Sequence, residues 1–334
     1  MAGRPPPAAP GAGAAPRGQP GGGISLRAKA EHLAAIRERR RAALVVNTRS
    51  RRGQRLYQTA CARLEAAGFD LLGRFPAVRP GELASSLEAA AGLKPDVLVA
   101  GGGDGTLSLA ARYLAYRDIA LGVLPLGTTN NFARTLGVPV DVAGAVGVLA
   151  RGKVADVDLG QVGGGFFANL VSVGLSGHVA ATVPPGLKRA LGSAAYPLTA
   201  LARLPGHRPF RAVVASGTER RAVTTHQVIV ANGGFHAGRP ITADASADDR
   251  LLVAYCLGGA SRGALIGATV RQALSGARRS HADRGFLAGG EFWLETDPPL
   301  PLVVDGELQG RTPARITLAP NALRVMVGAD FPDA

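Results

Sequence analysis

The chain has 334 residues, of which 46% are hydrophobic and 19% charged, and its formal net charge is +14. This apolar content is enough for a sizeable core and excludes a wholly disordered chain. The sequence has no run of about 18 apolar residues, which argues against a transmembrane helix, and its two cysteines are too few for a disulfide framework or a cysteine-based zinc site.

The first 42 residues differ in composition from the rest. Residues 1–23 are almost wholly Ala, Gly, Pro, Gln and Arg, so they cannot bury enough apolar surface to fold. Residues 24–42 have a helical pattern that ends in the basic run Arg37–Arg41. This run is either a solvated helix face or an electrostatic contact to an anionic membrane. We therefore expect residues 1–42 to form a disordered and basic N-terminal extension.

Residues 43–152 alternate between short apolar runs and helical stretches, which predicts an α/β domain with a mostly parallel sheet. Ligands of such sheets bind at the carboxyl ends of the strands. The loops after residues 46, 100 and 124 are therefore the informative ones. The predicted strands are 43–47, 69–75, 96–100 and 119–124, and the predicted helices are 54–67, 81–91 and 107–115.

From residue 153 to about 330, many short strands separated by turn residues predict an antiparallel β-sandwich. Its last strands could also return to the first domain. Trp293 lies in one of the apolar runs and is expected to pack in a core. The predicted strands are 154–162, 166–173, 211–216, 227–231, 251–257, 292–296, 302–304, 315–318 and 323–327, and the predicted helices are 187–204 and 262–274.

The loop after the first strand, Asn47–Gly53, combines hydroxyl groups, guanidinium groups and a helix N-terminus. This combination suits phosphate. The same residues could equally form a capped strand-to-helix turn with exposed arginines, and this segment alone does not decide between the two.

Two further loops contain glycine and polar residues. Gly101–Thr106 follows the third strand, and its glycines would let the backbone approach a phosphate closely. Asp104 adds a carboxylate for a metal ion or a proton. The spacing is neither that of a dinucleotide-binding fingerprint nor that of a Walker A loop. Pro125–Arg134 follows the fourth strand with a glycine and two hydroxyls, so both loops should lie at one edge of the sheet.

The segment Gly102–Thr106 together with Pro125–Arg134 resembles the diacylglycerol kinase catalytic domain family, whose relatives include sphingosine and ceramide kinases and, more distantly, NAD kinase and phosphofructokinase. The resemblance extends from about residue 44 to 327. It is supported downstream by Phe166–Gly174, Asn232–Gly234, Asp249–Leu252 and Val304–Glu307.

The resemblance implies an α/β domain and a β-sandwich domain, with the active site in the cleft between them. It implies that Asp104 belongs to the catalytic and metal–phosphate centre and that Glu307 is the general base. It implies that Asp249 ligates Mg²⁺, with the carbonyl groups of Ser246 and Leu251 as companions. The residues that it assigns to ATP are Asn47, Thr48, Arg49, Ser50, Arg51, Gly102, Gly103, Asp104, Gly105, Thr106 and Thr128.

Local sequence offers a second interpretation for Glu307, because Asp305-Gly306 is also a common hairpin turn. The sequence departs from the family pattern at three places. Asn131 stands where the family commonly has Asp, and Arg250 occupies the usual Gly of an Asp-Gly-Leu turn. Ser108-Leu109 replaces Asn-Glu, so we expect one polar contact to be missing there.

These features predict a cytoplasmic, peripherally membrane-associated lipid kinase of phospholipid biosynthesis. It would transfer the γ-phosphoryl group of ATP to a lipid hydroxyl, with diacylglycerol as the first candidate. The alternatives are a kinase for a soluble acceptor such as NAD and a non-catalytic lipid- or nucleotide-binding protein. The expected partners are the lipid substrate and an anionic membrane surface, without nucleic acid, and a homodimer is left open.

Overall fold

The computed structural model describes residues 27–79, 81–175, 208–233, 235–236, 239–240, 250–257 and 286–332. The segment 1–23 and the predicted helices 187–204 and 262–274 lie outside these ranges. Two of the three residues assigned to magnesium, Ser246 and Asp249, lie outside them as well, whereas Leu251 lies inside.

The N-terminal part is an α/β unit around a parallel sheet in the order β2-β1-β3-β4. Its central strands are buried along their length, and Leu44, Leu98 and Leu121 are fully excluded from solvent. Strands covered on both faces are expected to be continuously apolar. The elements are α1 (Lys29–Arg39), β1 (Arg41–Asn47), α2 (Arg51–Ala66), β2 (Asp70–Ala77), α3 (Glu82–Gly92), β3 (Val97–Gly102), α4 (Asp104–Leu114), β4 (Ala120–Pro125), α5 (Asn131–Thr135) and α6 (Val142–Arg151).

The C-terminal part is made of antiparallel strands in two packed layers. A six-stranded sheet has the order β14-β13-β10-β7-β16-β17. Its inner face packs on the larger sheet through a core that includes Val230, Phe167 and Phe292. The strands are β5 (Lys153–Val162), β6 (Gly165–Phe167), β7 (Leu170–Gly174), β8 (Phe210–Ser216), β9 (Glu219–Thr225), β10 (Gln227–Asn232), β11 (Phe235–His236), β12 (Arg239–Pro240), β13 (Leu252–Leu257), β14 (Phe286–Gly289), β15 (Glu291–Asp297), β16 (Pro301–Val304), β17 (Glu307–Arg311) and β18 (Ala314–Val327).

The long strand β18 joins the two parts. It pairs with β4 in parallel at Val325 and with β5 in antiparallel register along most of its length. One sheet therefore runs from the α/β unit into the sandwich. The sequence predicts two strands here, 315–318 and 323–327, because a register shift between Ala319 and Leu323 interrupts the apolar pattern.

Helix α1 is not a separate extension. Its residues His32 and Ile36 are 0% and 2% exposed, and Ile36 belongs to the main core. The basic run at its end is engaged within the protein, since Arg39 binds Asp96 and the guanidinium of Arg40 lies 5.5 Å from the centre of the Phe69 ring. The expectation of a disordered stretch up to residue 42 is therefore wrong for α1.

Further details differ from the sequence predictions, which also lack α5, α6, β11, β12 and β14. The run 166–173 is two strands, because the chain breaks between β6 and β7. Trp293 is 45% exposed, since β15 alternates strictly and this position faces away from the core. The polar strands β9 and β17 were not predicted, because they lack an apolar run. None of the helices in the described ranges has both the length and the hydropathy needed to cross a bilayer.

Candidate active site

The loop after β1 is fixed by Asn47. Its amide Nδ2 donates to Thr106 Oγ1 at 3.1 Å, and its Oδ1 accepts from the backbone N–H of Arg49 at 3.2 Å. The Thr48 hydroxyl donates to a carbonyl at the end of β2 at 3.2 Å. The side chains of Arg49 and Arg51 remain exposed. The loop thus joins the glycine loop after β3 and leaves two guanidinium groups facing solvent.

Helix α2 begins against this loop. The Ser50 side chain accepts from the N–H of Gly53 at 2.9 Å and so caps the helix. Arg52, which the sequence analysis did not select, donates to the carbonyl oxygens of Gly127 and Val140 at 3.2 and 3.1 Å. It ties α2 to the loop after β4. In the sequence, Arg52 is marked only by its place in the same basic run as Arg51. A run of adjacent arginines does not show which side chain turns inward.

The two glycine-containing loops touch through their backbones. The N–H of Leu126 donates to the carbonyl of Gly102 at 2.8 Å. A Cβ added to Gly127 would lie only 2.5 Å from the Cα of Gly103, so a side chain does not fit at this contact. Gly105 is exposed at the start of α4, where the first helical amides have no intrahelical acceptor. The two loops therefore meet at one edge of the sheet, as the sequence predicts.

The Asp104 carboxylate connects these loops. Its Oδ2 accepts from Thr129 Oγ1 at 2.7 Å and from Asn131 Nδ2 at 3.4 Å, and its Oδ1 accepts from the N–H of Phe132 at 3.1 Å. All three donors are neutral. Asn131, one of the departures from the family pattern, therefore supplies a hydrogen bond where an Asp would add a like charge.

The loop after β4 closes on itself through Asn130. This residue has a φ of 49°, and its side chain both accepts from and donates to the backbone of Gly127, at 2.9 and 3.0 Å. Arg134 donates to the carbonyl of Thr129 at 3.0 Å. Thr128, assigned to ATP, is left exposed at the tip.

Glu307 follows a two-residue hairpin turn between β16 and β17. Asp305 and Gly306 have φ values of 48° and 90°, as in a type I′ turn. The Glu307 side chain is 74% exposed and lies 3.6 Å from Nη1 of Arg112 on α4. The hairpin interpretation of the local sequence is therefore right, and the hairpin leaves the Glu307 carboxylate exposed beside α4.

Asp305, the first residue of this turn, is also an anchor. Its carboxylate accepts from the N–H groups of Ala168, Asn169 and Leu170 at 2.8 to 3.0 Å. Desolvation at this partly buried position raises the pKa of Asp305 above its ordinary value, although these bonds and one from Ser108 oppose the shift. Ser108 also accepts from Asn169 Nδ2 at 3.0 Å. Ser108 therefore makes a polar contact of its own at the first of the two replaced positions, Ser108-Leu109.

Arg250, which replaces the usual glycine, keeps the backbone conformation that favours glycine, with a φ of 60°. Its guanidinium binds Asp158 Oδ1 at 2.9 Å and Asn321 Oδ1 at 2.8 Å. These contacts hold the turn before β13. Leu251 follows it and is half-buried.

Within the described ranges, no three His, Cys, Asp or Glu side chains come together to hold a metal ion. Mg²⁺ is usually bound through one or two carboxylates together with phosphates and water. An ionised carboxylate has about four acceptor sites, and the three donors to Asp104 leave room for one more ligand. The residues present thus fit a magnesium ion shared between Asp104 and nucleotide phosphates.

A parallel sheet with glycine-containing loops at its carboxyl edge, continued by a β-sandwich, is the architecture of two-domain nucleotide-dependent kinases. Residues 41–162 match the family model of the diacylglycerol kinase catalytic domain, and residues 169–327 match that of the YegS C-terminal NAD kinase beta sandwich-like domain. The chain belongs to the diacylglycerol kinase catalytic domain family. The first family match includes β5, whereas the sequence analysis ended that domain at residue 152.

Similar proteins extend over most of the chain. "Probable lipid kinase YegS-like" of Pseudomonas fluorescens is 34% identical over 305 residues, which cover 88% of this chain and 97% of that protein. The "Diacylglycerol kinase" of Bacillus subtilis is 34% identical over 177 residues, 51% of this chain and 57% of that protein. A crystal structure of a diacylglycerol kinase of Bacillus anthracis str. Sterne shares the fold, with a TM-score of 0.66 at 21% identity over 88% of this chain and 98% of the other.

Proposed function

We propose that this protein is an ATP-dependent lipid kinase that phosphorylates a lipid hydroxyl, with diacylglycerol as the acceptor. The observation that carries the proposal is the Asp104 carboxylate. It stands at the start of α4, between two glycine loops in backbone contact, and it is held by neutral donors. Such a site combines amides for phosphate oxygens with one negative group for a cation.

Phosphoryl transfer depends mainly on positioning and on neutralising oxygen charge. The first amides of α4 and the exposed Arg49 and Arg51 bind the phosphates in this proposal. Asp104 would hold magnesium, which lowers the charge of the transferred group when bound. The acceptor oxygen bonds to the γ-phosphorus, the bond to the bridging oxygen of ADP breaks, and Glu307 accepts the hydroxyl proton.

The names of the relatives favour a lipid acceptor over a soluble one. The relative from Pseudomonas fluorescens is called probable lipid kinase, and the one from Bacillus subtilis is called diacylglycerol kinase. The description of the second family model, NAD kinase beta sandwich-like, keeps NAD as the alternative acceptor. Peripheral contact with an anionic membrane is part of the proposal, since the acceptor resides there.

The test uses the full chain with γ-labelled ATP and Mg²⁺. The acceptors are vesicles that contain diacylglycerol, vesicles that contain ceramide, and soluble NAD. We expect label in the diacylglycerol product, in an amount that rises with the anionic lipid fraction and falls with salt, because surface charge is screened. Transfer to NAD alone would overturn the lipid assignment, and nucleotide binding without any transfer would favour a binding protein.

The role of Glu307 is tested by Glu307→Gln, which keeps the shape and removes the base. A general base contributes roughly 10²–10⁴-fold, so turnover on lipid should fall by that order while the KM for ATP changes little. Glu291→Gln is the matched control, because Glu291 is an exposed strand residue paired with Arg315 at 2.6 Å. A fall in ATP affinity with turnover intact would instead assign Glu307 to the nucleotide.

A further inference from the structure

Helix α4 carries three polar residues at intervals of four, Asp104, Ser108 and Arg112. Residues at this spacing lie on one face of a helix. Each contacts a different part of the site. Asp104 binds the loop after β4, Ser108 binds Asn169, and Arg112 faces Glu307. One face of α4 therefore contacts both the loop after β4 and the hairpin that carries Glu307.

The contact at Ser108 continues into the hairpin. Asn169, 7% exposed, donates its amide to Ser108 and its N–H to Asp305. The N–H of Asp305 in turn donates to the carbonyl of Leu170 at 3.0 Å. From the other side, the N–H of Asn232 donates to the carbonyl of Asn169 at 2.7 Å. The break between β6 and β7 is thus held by hydrogen bonds on both sides.

Glu307 does not set its own position. It is 74% exposed, and its ion pair with Arg112 spans 3.6 Å. An exposed pair of this kind has little influence on structure. Asp305 lies two residues before Glu307, and its hydrogen bond from Asn169, which in turn donates to Ser108, links this hairpin to α4.

We propose that Ser108, Asn169 and Asp305 are positioning residues, which fix the hairpin that carries Glu307 against the helix that begins at Asp104. The proposal rests on the proposed role of Glu307 as base. Small displacements of a reacting group can be costly, since about 1 Å can lower a rate by about a hundredfold. The same network gives the polar Ser at position 108 a structural partner.

The first test is Ser108→Ala, made in the natural chain and in the Glu307→Gln background. We expect kcat on lipid to fall about tenfold, with the KM for ATP within about twofold of the natural value. In the Glu307→Gln background the same change should have no further effect on kcat. An equal loss in both backgrounds would mean that Ser108 does not act through Glu307. The control is Ser86→Ala, a buried helical serine on α3, away from the site.

The second test does not depend on activity. Amide hydrogen exchange of Ser108→Ala should be faster than in the natural chain over residues 301–311, and unchanged over β3. Asp305→Asn should give the same pattern more strongly if it folds. Unchanged exchange at residues 301–311 in Ser108→Ala overturns the proposal whatever the enzyme phosphorylates. Faster exchange in a chain that transfers no phosphate to lipid would support the positioning network and reject the lipid kinase assignment.

Discussion

Two polar clusters lie at opposite ends of the same parallel strands. At the amino ends, Asp96 and Asp118 precede β3 and β4 and meet Arg27, His32 and Arg324. At the carboxyl ends, the loops after β1, β3 and β4 meet around Asp104. Both clusters contain Arg and Asp, but they use these residues in opposite ways.

In the amino-end cluster the charges cancel within the protein. Arg324, 5% exposed, donates to Asp118 at 2.8 Å and to Asp156 at 3.2 Å. Arg27 donates to the other oxygen of Asp118 at 2.6 Å. Each carboxylate is satisfied by guanidinium groups, so this cluster holds α1 on the sheet and leaves little capacity for a ligand.

In the carboxyl-end cluster the charges are kept apart. Among the described residues, no Lys or Arg forms an ion pair with Asp104, and no Asp or Glu forms one with Arg49 or Arg51. Asp104 is held by hydroxyl and amide groups instead, and the arginines face solvent. The comparison indicates that a cluster can bind a charged ligand when its charged side chains have no ion-pair partner within the protein. The number of charged residues does not decide this.

The largest effect that would sharpen this comparison is expected for Asp104→Asn. Removing one preorganised charge should lower turnover about a hundredfold or more, with little change in melting temperature, because the amide keeps the shape. Asp141→Asn is the control, since Asp141 also accepts a backbone N–H at a helix start, at 2.8 Å. Steady-state kinetics of both variants measures the change in turnover. Turnover near the natural value in Asp104→Asn would remove the carboxyl-end cluster from the reaction.

The amino-end cluster should instead respond in stability. Arg324→Gln leaves Asp118 and Asp156 with fewer partners, and breaking a buried ion pair costs about 3–5 kcal/mol. Arg315→Gln removes an exposed pair with Glu291 and should cost about 1 kcal/mol or less. Urea unfolding followed by circular dichroism measures both. Similar losses in the two variants would contradict the structural role of the amino-end cluster.

Asn131→Asp tests why neutral donors surround Asp104. A second carboxylate near Asp104 Oδ2, where Asn131 Nδ2 now lies at 3.4 Å, would repel the first and raise the pKa of one of them. We expect a lower melting temperature without divalent cations, and recovery in Mg²⁺ that exceeds the response of the natural chain. If the melting temperature of the variant responds no more to Mg²⁺ than to Na⁺, the result would count against a cation site at Asp104.

The smallest expected effect concerns pH. Burial lowers the pKa of His32, and the charges of Arg27 and Arg324 add to this. The folded state then binds fewer protons than the unfolded state, in which the pKa of histidine is about 6.5. Stability should therefore fall as the pH drops below that value. Melting curves between pH 7.5 and 5 should show a shallower decline in His32→Gln, and an identical decline would exclude this contribution.

The order of strands, helices and polar loops could be predicted from the sequence. Consecutive βαβ units bring the carboxyl ends of parallel strands to one edge, whatever the side chains do there. For this reason the meeting of Asn47, the glycine loop and the loop of Thr128 follows from a one-dimensional pattern. The family resemblance rests on the same loops, and the matches to the family models confirm it.

Other features were decided only by the tertiary structure. The pattern of the chain could not separate the inward Arg52 from the exposed Arg51, and it suggested a core position for Trp293. Asp305 binds the N–H of Ala168, 137 residues away, and Arg27 binds Asp118, 91 residues away. A charged side chain is buried or exposed according to which partner the fold brings within hydrogen-bonding distance. Because those partners are distant in the chain, local composition carries no record of them.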